Sequence, residues 1–292
     1  MRTSSMNVVG ASIAQVDDDV ARSLGIHILD YPMLVNGEQV EARVADWPTI
    51  HHERRELIKN RDNRCTTSSL SEAILLETYE RLKHEPFLSM HQGERFSAAT
   101  WAVLRKIERE HPEYPCTLVD AQHTLSGYTV LLLQAARALA GGETWESYRE
   151  RFERARDNTT NIAAVYDLFY LSRTGRVSFA KALLGTALRT IPMLIYRNGM
   201  DGVRPLARAR TYAQANLRMV QSIESDLRRV GGDRVDVVIA WFGPRDDERE
   251  HLLSLIEARG WNARIDQFIG KYSAAAHLGP DYWEIGYTVH AD

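Results

Sequence analysis

The sequence predicts an α/β chain of two domains, an N-terminal α/β/α sandwich followed by a C-terminal α+β domain with a mainly antiparallel sheet. Up to Asp157, short β-rich runs alternate with longer helical patterns, the order expected of a sheet covered by helices. After Asn158, strands and hairpin signals dominate. The length of 292 residues exceeds one ordinary domain and suits two, each with its own core and with a cleft between them. The boundary is expected near residues 155–160, dividing the chain into 1–157 and 158–292.

In chain order, "MNVVGASI" reads as a strand and "VDDDVARSLG" as a short helix stopped by Gly25. "IHILDYPMLV" and "EQVEARV" flank Asn36-Gly37, a dipeptide that favours a tight hairpin. "LSEAILLETYERL" places Leu70, Ala73, Ile74 and Leu76 at helical spacing, and Ser69 with Glu72 fits a capping box at its start. "PCTLVDA" reads as a buried strand, "TLSGYTVLLLQAARALAGG" as a buried helix ended by Gly141, and "ETWESYRERFERARD" as a charged amphipathic helix. In the second half, "TTNIAAVYD" reads as a strand and "FAKALLGTALRT" as an apolar helix. "MLIYRNGMDGVRPLARART" reads as a hairpin turning at Asn198-Gly199 or Asp201-Gly202. "RVDVVIAWFG" is a strand, and Pro244 with the acidic "RDDERE" opens a helix that closes at Gly260. "NARIDQFIG", "KYSAAAHLG" and "YWEIGYTV" read as strands.

Composition narrows the function. A formal charge of −3, with Lys, Arg, Asp and Glu mixed along the chain, offers no basic face for phosphodiester backbones, so nucleic acid is not expected as a partner. No apolar run reaches the roughly 18 residues of a membrane span, and the start meets acidic residues too soon for a secretory signal. Cys65 and Cys116 form no CxxC pair, as expected of reduced thiols. These features suit a cytoplasmic protein, with at most peripheral membrane contact. There is no GxxxxGK[ST], GxGxxG after a strand, HExxH or GxSxG, so no cofactor is expected. "HHERRE" at 51–56 reads as a solvated segment, since His51 and His52 would diverge on a helix or strand.

Three stretches can carry chemistry. "NRCTTSSLS" sets Thr66, Thr67, Ser68, Ser69 and Ser71 just before a helix, where hydroxyls, free N–H groups and the helix dipole can hold an anionic or polar head group. "RTGR" precedes the apolar "VSFAKALLGTALRTIPMLIY", a helix able to wall a lipid-sized cavity with Arg176 as a permanent charge at its mouth. In "AAAHLGPDYW", His277 sits between small residues and a Gly-Pro turn, placed either to pack, to donate to a carboxylate, or to act as acid or base.

Taken together and in order, these stretches resemble the DegV family, bacterial two-domain proteins that bind fatty acids. The family's TTSQPS-like turn resembles Thr66-Thr67-Ser68-Ser69-Leu70-Ser71. Its GR motif before an apolar helix matches Gly175-Arg176, its hairpin arginine matches Arg210, and its HxGPG resembles His277-Leu278-Gly279-Pro280 with Asp281 in the last position. The family's aspartate-serine after the first strand is Ala11-Ser12 here. Its SSxLSGTY motif falls on "GERFSAATW", where Ser97 is retained and Gly93 and Glu94 replace serines. Either Ser97, Ser89 or His91 then takes over the missing serine contact, or the chain holds a different ligand or none, and a ligand carboxylate would be repelled by Glu94 if that side chain faced it.

The resemblance implies a long-chain fatty acid with its tail in an interdomain tunnel. Its carboxylate would be held by Thr66, Thr67, Ser68, Ser97, His277 and Gly279. It also implies a separate ATP-binding kinase subunit that makes acyl phosphate, with Arg176 and Arg210 meeting that partner or the transferred phosphate. On this reading the chain itself is not catalytic. The alternatives are a hydrolase or acyltransferase using Ser68 or Thr67 with His277, and a carrier or sensor of another amphipathic carboxylate.

Overall fold

The computed structural model describes residues 6–40, 47–174 and 190–291. The first half runs β1 (Asn7–Ala11), α1 (Asp18–Ser23), β2 (Ile26–Leu29), β3 (Met33–Val35), β4 (Glu38–Gln39), α2 (Trp47–Lys59), β5 (Cys65–Thr67) and α3 (Glu72–Leu82). It continues through β6 (Phe87–His91), α4 (Ala98–Glu110), β7 (Cys116–Asp120), α5 (Leu125–Ala140) and α6 (Trp145–Asp157). The second half runs β8 (Thr159–Val165), α7 (Leu168–Thr174), β9 (Ile191–Arg197), β10 (Arg204–Ala209), α8 (Tyr212–Val230) and β11 (Arg234–Phe242). It ends with α9 (Asp246–Glu257), β12 (Asn262–Ile269), α10 (Tyr272–Leu278) and β13 (Tyr282–His290).

Among the described residues the strands form three sheets. The first is parallel throughout, in the order β2-β1-β6-β7. The second has the order β10-β9-β8-β13-β11-β12 and is antiparallel except for its β11/β12 edge. A small antiparallel sheet, β4-β3-β5, carries the hydroxyl-rich turn. The fold is thus α/β with a parallel sheet and a separate, mostly antiparallel one. Asn36 and Gly37, with φ of 56° and 94°, make the expected β3–β4 hairpin, because both central residues of such a turn need positive φ.

Helix α5 lies between the two larger sheets and is buried along nearly its whole length, as an all-round apolar helix must be. On one side Gly10 of β1 leaves room for Tyr128, whose Oη would stand 2.9 Å from an added Cβ. On the other side Gly286 of β13 lets the Ser126 backbone approach to 2.0 Å of where a Cβ would be. Gln134 Nε2 donates to Asp236 (2.7 Å), and Arg137 makes a bidentate pair with Asp266 at 2.8 and 2.6 Å. The expectation of one core per half therefore needs correcting. One apolar cluster runs from Val8 and Leu88 through α5 to Val238, Phe242 and Tyr282, and a second fills the far face of the antiparallel sheet beneath α8 and α9.

Several local expectations also change. "KYSAAAHLG" forms helix α10, not a strand; a short apolar run has no decisive period, and its three alanines favour helix. "HHERRE" belongs to α2 and is not a solvated segment. The His51 ring packs 4.2 Å from that of Phe242, where burial holds its pKa below the usual value, and Arg55 donates to Asp281 (2.9 Å) and to the Pro280 carbonyl (3.2 Å). β7 is an edge strand, only partly buried. The hairpin after β9 contains both proposed turns, with Gly199 at φ 80° and Gly202 at φ 91°. The apolar helix expected at "FAKALLGTALRT" lies outside the described residues.

Candidate functional site

The hydroxyl turn is positioned by strand pairing. β5 runs antiparallel to β3 with Thr67 opposite Met33, and Ser68 N donates to Pro32 O at 3.0 Å. This pairing keeps the chain extended through Ser68 and delays the next helix. The N-cap of α3 is consequently Ser71, whose Oγ accepts from Ile74 N (3.3 Å), and not Ser69. Glu72, the expected partner in a capping box, instead binds Lys106 Nζ at 2.7 and 2.9 Å. Ser69 is thereby left for other work.

Thr67, Ser68 and Ser69 line a cavity of about 320 Å³ together with Ser97, Ser273 and His277. Ala163, Leu171, Leu194, Val203 and Leu278 give it an apolar wall. Phe96 and Tyr196, which also line it, meet edge to face at 4.9 Å across the two halves. Thr67 Oγ1 and His277 Nε2 are hydrogen-bonded 3.0 Å apart, although 210 residues separate them in the chain. At the end of α10, Gly279 has φ 100°, and a Cβ there would stand 2.7 Å from the Tyr170 ring, so a larger residue is excluded on both counts.

Behind the cavity wall is a buried polar cluster. Asn161, a lining residue, accepts from Gly127 N (2.9 Å) and donates to Glu284 Oε2 (3.3 Å). Gln15 Nε2 also donates to Glu284, and Tyr282 Oη donates to Gln15 Oε1 (2.8 Å). Burial outweighs these bonds and raises the Glu284 pKa to about 7. Thr124 Oγ1 donates to Gln92 Oε1 (2.7 Å), and Gln92 Nε2 to Tyr31 Oη (3.2 Å), completing the polar side of the cavity.

The family model described as "Uncharacterised protein, DegV family" matches residues 5–289. The chain belongs to the DegV family. A DegV domain-containing protein of Halalkalibacterium halodurans is 23% identical over 281 residues, covering 93% of this chain and 94% of its own. A fatty-acid-binding DegV family protein from Thermus thermophilus superposes with a TM-score of 0.84 at 22% identity, over 98% of this chain and 100% of that one. A DegV family protein from Eubacterium eligens loaded with heptadecanoic acid gives 0.79 at 13% identity, over 98% and 100%.

The DegV motifs read in the sequence are only partly gathered at the cavity. Thr67, Ser68, Ser97 and His277 line it; Thr66 and Gly279 do not. Thr66 is the neighbour of Thr67 in strand β5, and successive strand residues point to opposite faces. Ser97 donates to Thr100 Oγ1 (2.9 Å). The two other expected substitutes, Ser89 and His91, are fully buried in β6 away from the cavity, in a chain from Tyr79 Oη to Ser89 Oγ (2.6 Å) and on to His91 Nε2 (2.8 Å). Burial pushes the His91 pKa down to about 3. Glu94 pairs with Arg105 (2.6 Å) and is not a lining residue, which removes the expected repulsion. Its neighbour Arg95, absent from the sequence expectations, does line the cavity and donates to the Met200 carbonyl of the β9–β10 turn.

Arg210 is exposed just before α8, its backbone N–H bonded to Gln214 Oε1 (2.9 Å), and is not a lining residue. Arg176 lies outside the described residues. Ser12, beside Ala11, accepts from Tyr31 N at 3.1 Å through its Oγ. Asp281, in place of the motif's last glycine, is held by Arg55. Among the described residues no His, Cys, Asp and Glu cluster could hold a metal ion, and no helix is long and apolar enough to cross a membrane.

Proposed function

We propose that this DegV protein binds a long-chain fatty acid in the cavity and presents its carboxyl to a separate ATP-binding kinase subunit for acyl phosphate formation. The reading takes 1–157 and 158–292 as the two domains that enclose the ligand. The observation that carries it is the Thr67–His277 hydrogen bond, which puts a hydroxyl and an imidazole 210 residues apart in the chain beside an apolar wall. Each methylene buried against that wall contributes about 0.8 kcal/mol, so the tail supplies the affinity. A carboxylate head needs charge-assisted hydrogen bonds to leave water, and Thr67, Ser68 and His277 are the groups proposed to make them, with Ser97 beside them. Arg176 and Arg210 are the residues proposed to meet the partner. Fatty acid binding by family members of closely similar fold supports the ligand class.

Thr67→Ala or His277→Ala is expected to weaken binding of hexadecanoic acid by about tenfold or more, since a hydrogen bond to a charged group is worth roughly 1.5–3 kcal/mol. Hexadecanol should be affected far less. Titration of delipidated protein with both ligands checks this, and an unchanged acid-to-alcohol ratio removes the carboxylate role. The 3.0 Å contact also has the length of a nucleophile–base pair, which favours a second reading as a hydrolase or acyltransferase with Ser68 or Thr67 attacking and His277 as base. Ester turnover that vanishes in His277→Ala would establish that reading instead.

A further inference from the structure

Ser273 and His277 stand four residues apart on α10 and both line the cavity, so they share a helix face about one turn, or roughly 6 Å, from each other. Ser273 is 1% exposed, and its Oγ has no hydrogen-bond partner among the described residues. The other deep polar residues of the cavity are already engaged: Asn161 with Gly127 and Glu284, and Thr124 with Gln92. A buried hydroxyl left without a partner costs about 1–3 kcal/mol. Alanine would avoid that cost at the same place, and three alanines follow directly in this helix. The hydroxyl is therefore best explained by an oxygen that the ligand brings.

We propose that Ser273 is a specificity-determining contact that hydrogen-bonds an oxygen substituent on the first few carbons of the acyl chain, so that the cavity favours 3-hydroxy long-chain acids over unsubstituted ones. This rests on the fatty-acid reading above, with the carboxyl at Thr67 and His277. From that point the chain passes the α10 face on which Ser273 lies one turn away, which places the second oxygen near the head and not along the tail.

The test is calorimetric titration of the delipidated full chain and of Ser273→Ala with hexadecanoic, 3-hydroxyhexadecanoic and 16-hydroxyhexadecanoic acids. The unmodified protein is expected to bind the 3-hydroxy acid about 3- to 10-fold more tightly than hexadecanoic acid, the range of one net hydrogen bond. Ser273→Ala should bring that ratio to about one, and a far-UV circular dichroism spectrum and urea midpoint matching the unmodified protein show that the variant is folded. A ratio near one in the unmodified protein, the same preference in both proteins, or an equal preference for the 16-hydroxy acid overturns the inference alone. Failure of hexadecanoic acid to bind the unmodified protein overturns the fatty-acid reading, and this inference with it.

Discussion

Ser69 and Ser71 are two residues apart and do different work, because β5 pairing moves the start of α3 to Glu72. Ser71→Ala is expected to cost about 1 kcal/mol of stability, the usual value of an N-cap hydroxyl, and to leave ligand affinity unchanged. Ser69→Ala should leave stability nearly unchanged. Urea denaturation of the two variants separates the roles, and equal losses would return the cap to both residues. Thr67 and His277 were legible as candidates because hydroxyls at a helix start and a histidine before Gly-Pro are local patterns. Ser273 and Arg95 were not, since each acquires its meaning from a neighbour distant in sequence: the cavity face of α10 for one, the Met200 carbonyl for the other. Arg55 was hidden in the same way, because its partner Asp281 is 226 positions away.

At the scale of elements, the sharpest constraint is the slot that holds α5. Gly286→Ala would drive a Cβ to within 2.0 Å of the Ser126 carbonyl carbon, a clash with backbone that no side-chain rotation relieves. A loss above about 4 kcal/mol, or failure to fold, is expected. Gly142→Ala, with φ 91° and nothing within 4 Å, should cost only the local strain of about 1 kcal/mol. Comparing their denaturation midpoints checks the slot, and similar losses would remove it. Elements with a long, clear period, such as α5, α6, β11 and β13, follow directly from the residues. Helix α8 has no counterpart among the sequence expectations, although Ala215, Met219, Val220, Ile223 and Leu227 recur at helical spacing behind the Thr211 cap. Helix α2 was obscured by its charge: its burying contacts reach Phe242 and Asp281, which local periodicity does not reveal.

Across the whole molecule, Glu284 ties the halves together through Gln15 on one side and Asn161 on the other. Its folded pKa of about 7 lies above the ordinary 4.5. The folded state then keeps this proton where the unfolded chain has lost it, so the stability is full below the ordinary value and declines as pH rises towards 7, by on the order of 3 kcal/mol. Urea unfolding at pH 5 and pH 8 should show this decline in the unmodified protein and a smaller one in Glu284→Gln; superimposable pH profiles would exclude the buried carboxyl as its source. Helix α5 also has a consequence for modular exchange between relatives. It precedes residue 157 in sequence, yet it covers the near face of the sheet that follows. A chimera cut at 157 would bring a foreign helix against Gly286, Asp236 and Asp266, whereas one that carries residues 125–140 along with the later sheet keeps those contacts and must instead match a foreign β1 at Gly10. The workable seam for recombination is set by whichever of these two faces the donor can reproduce.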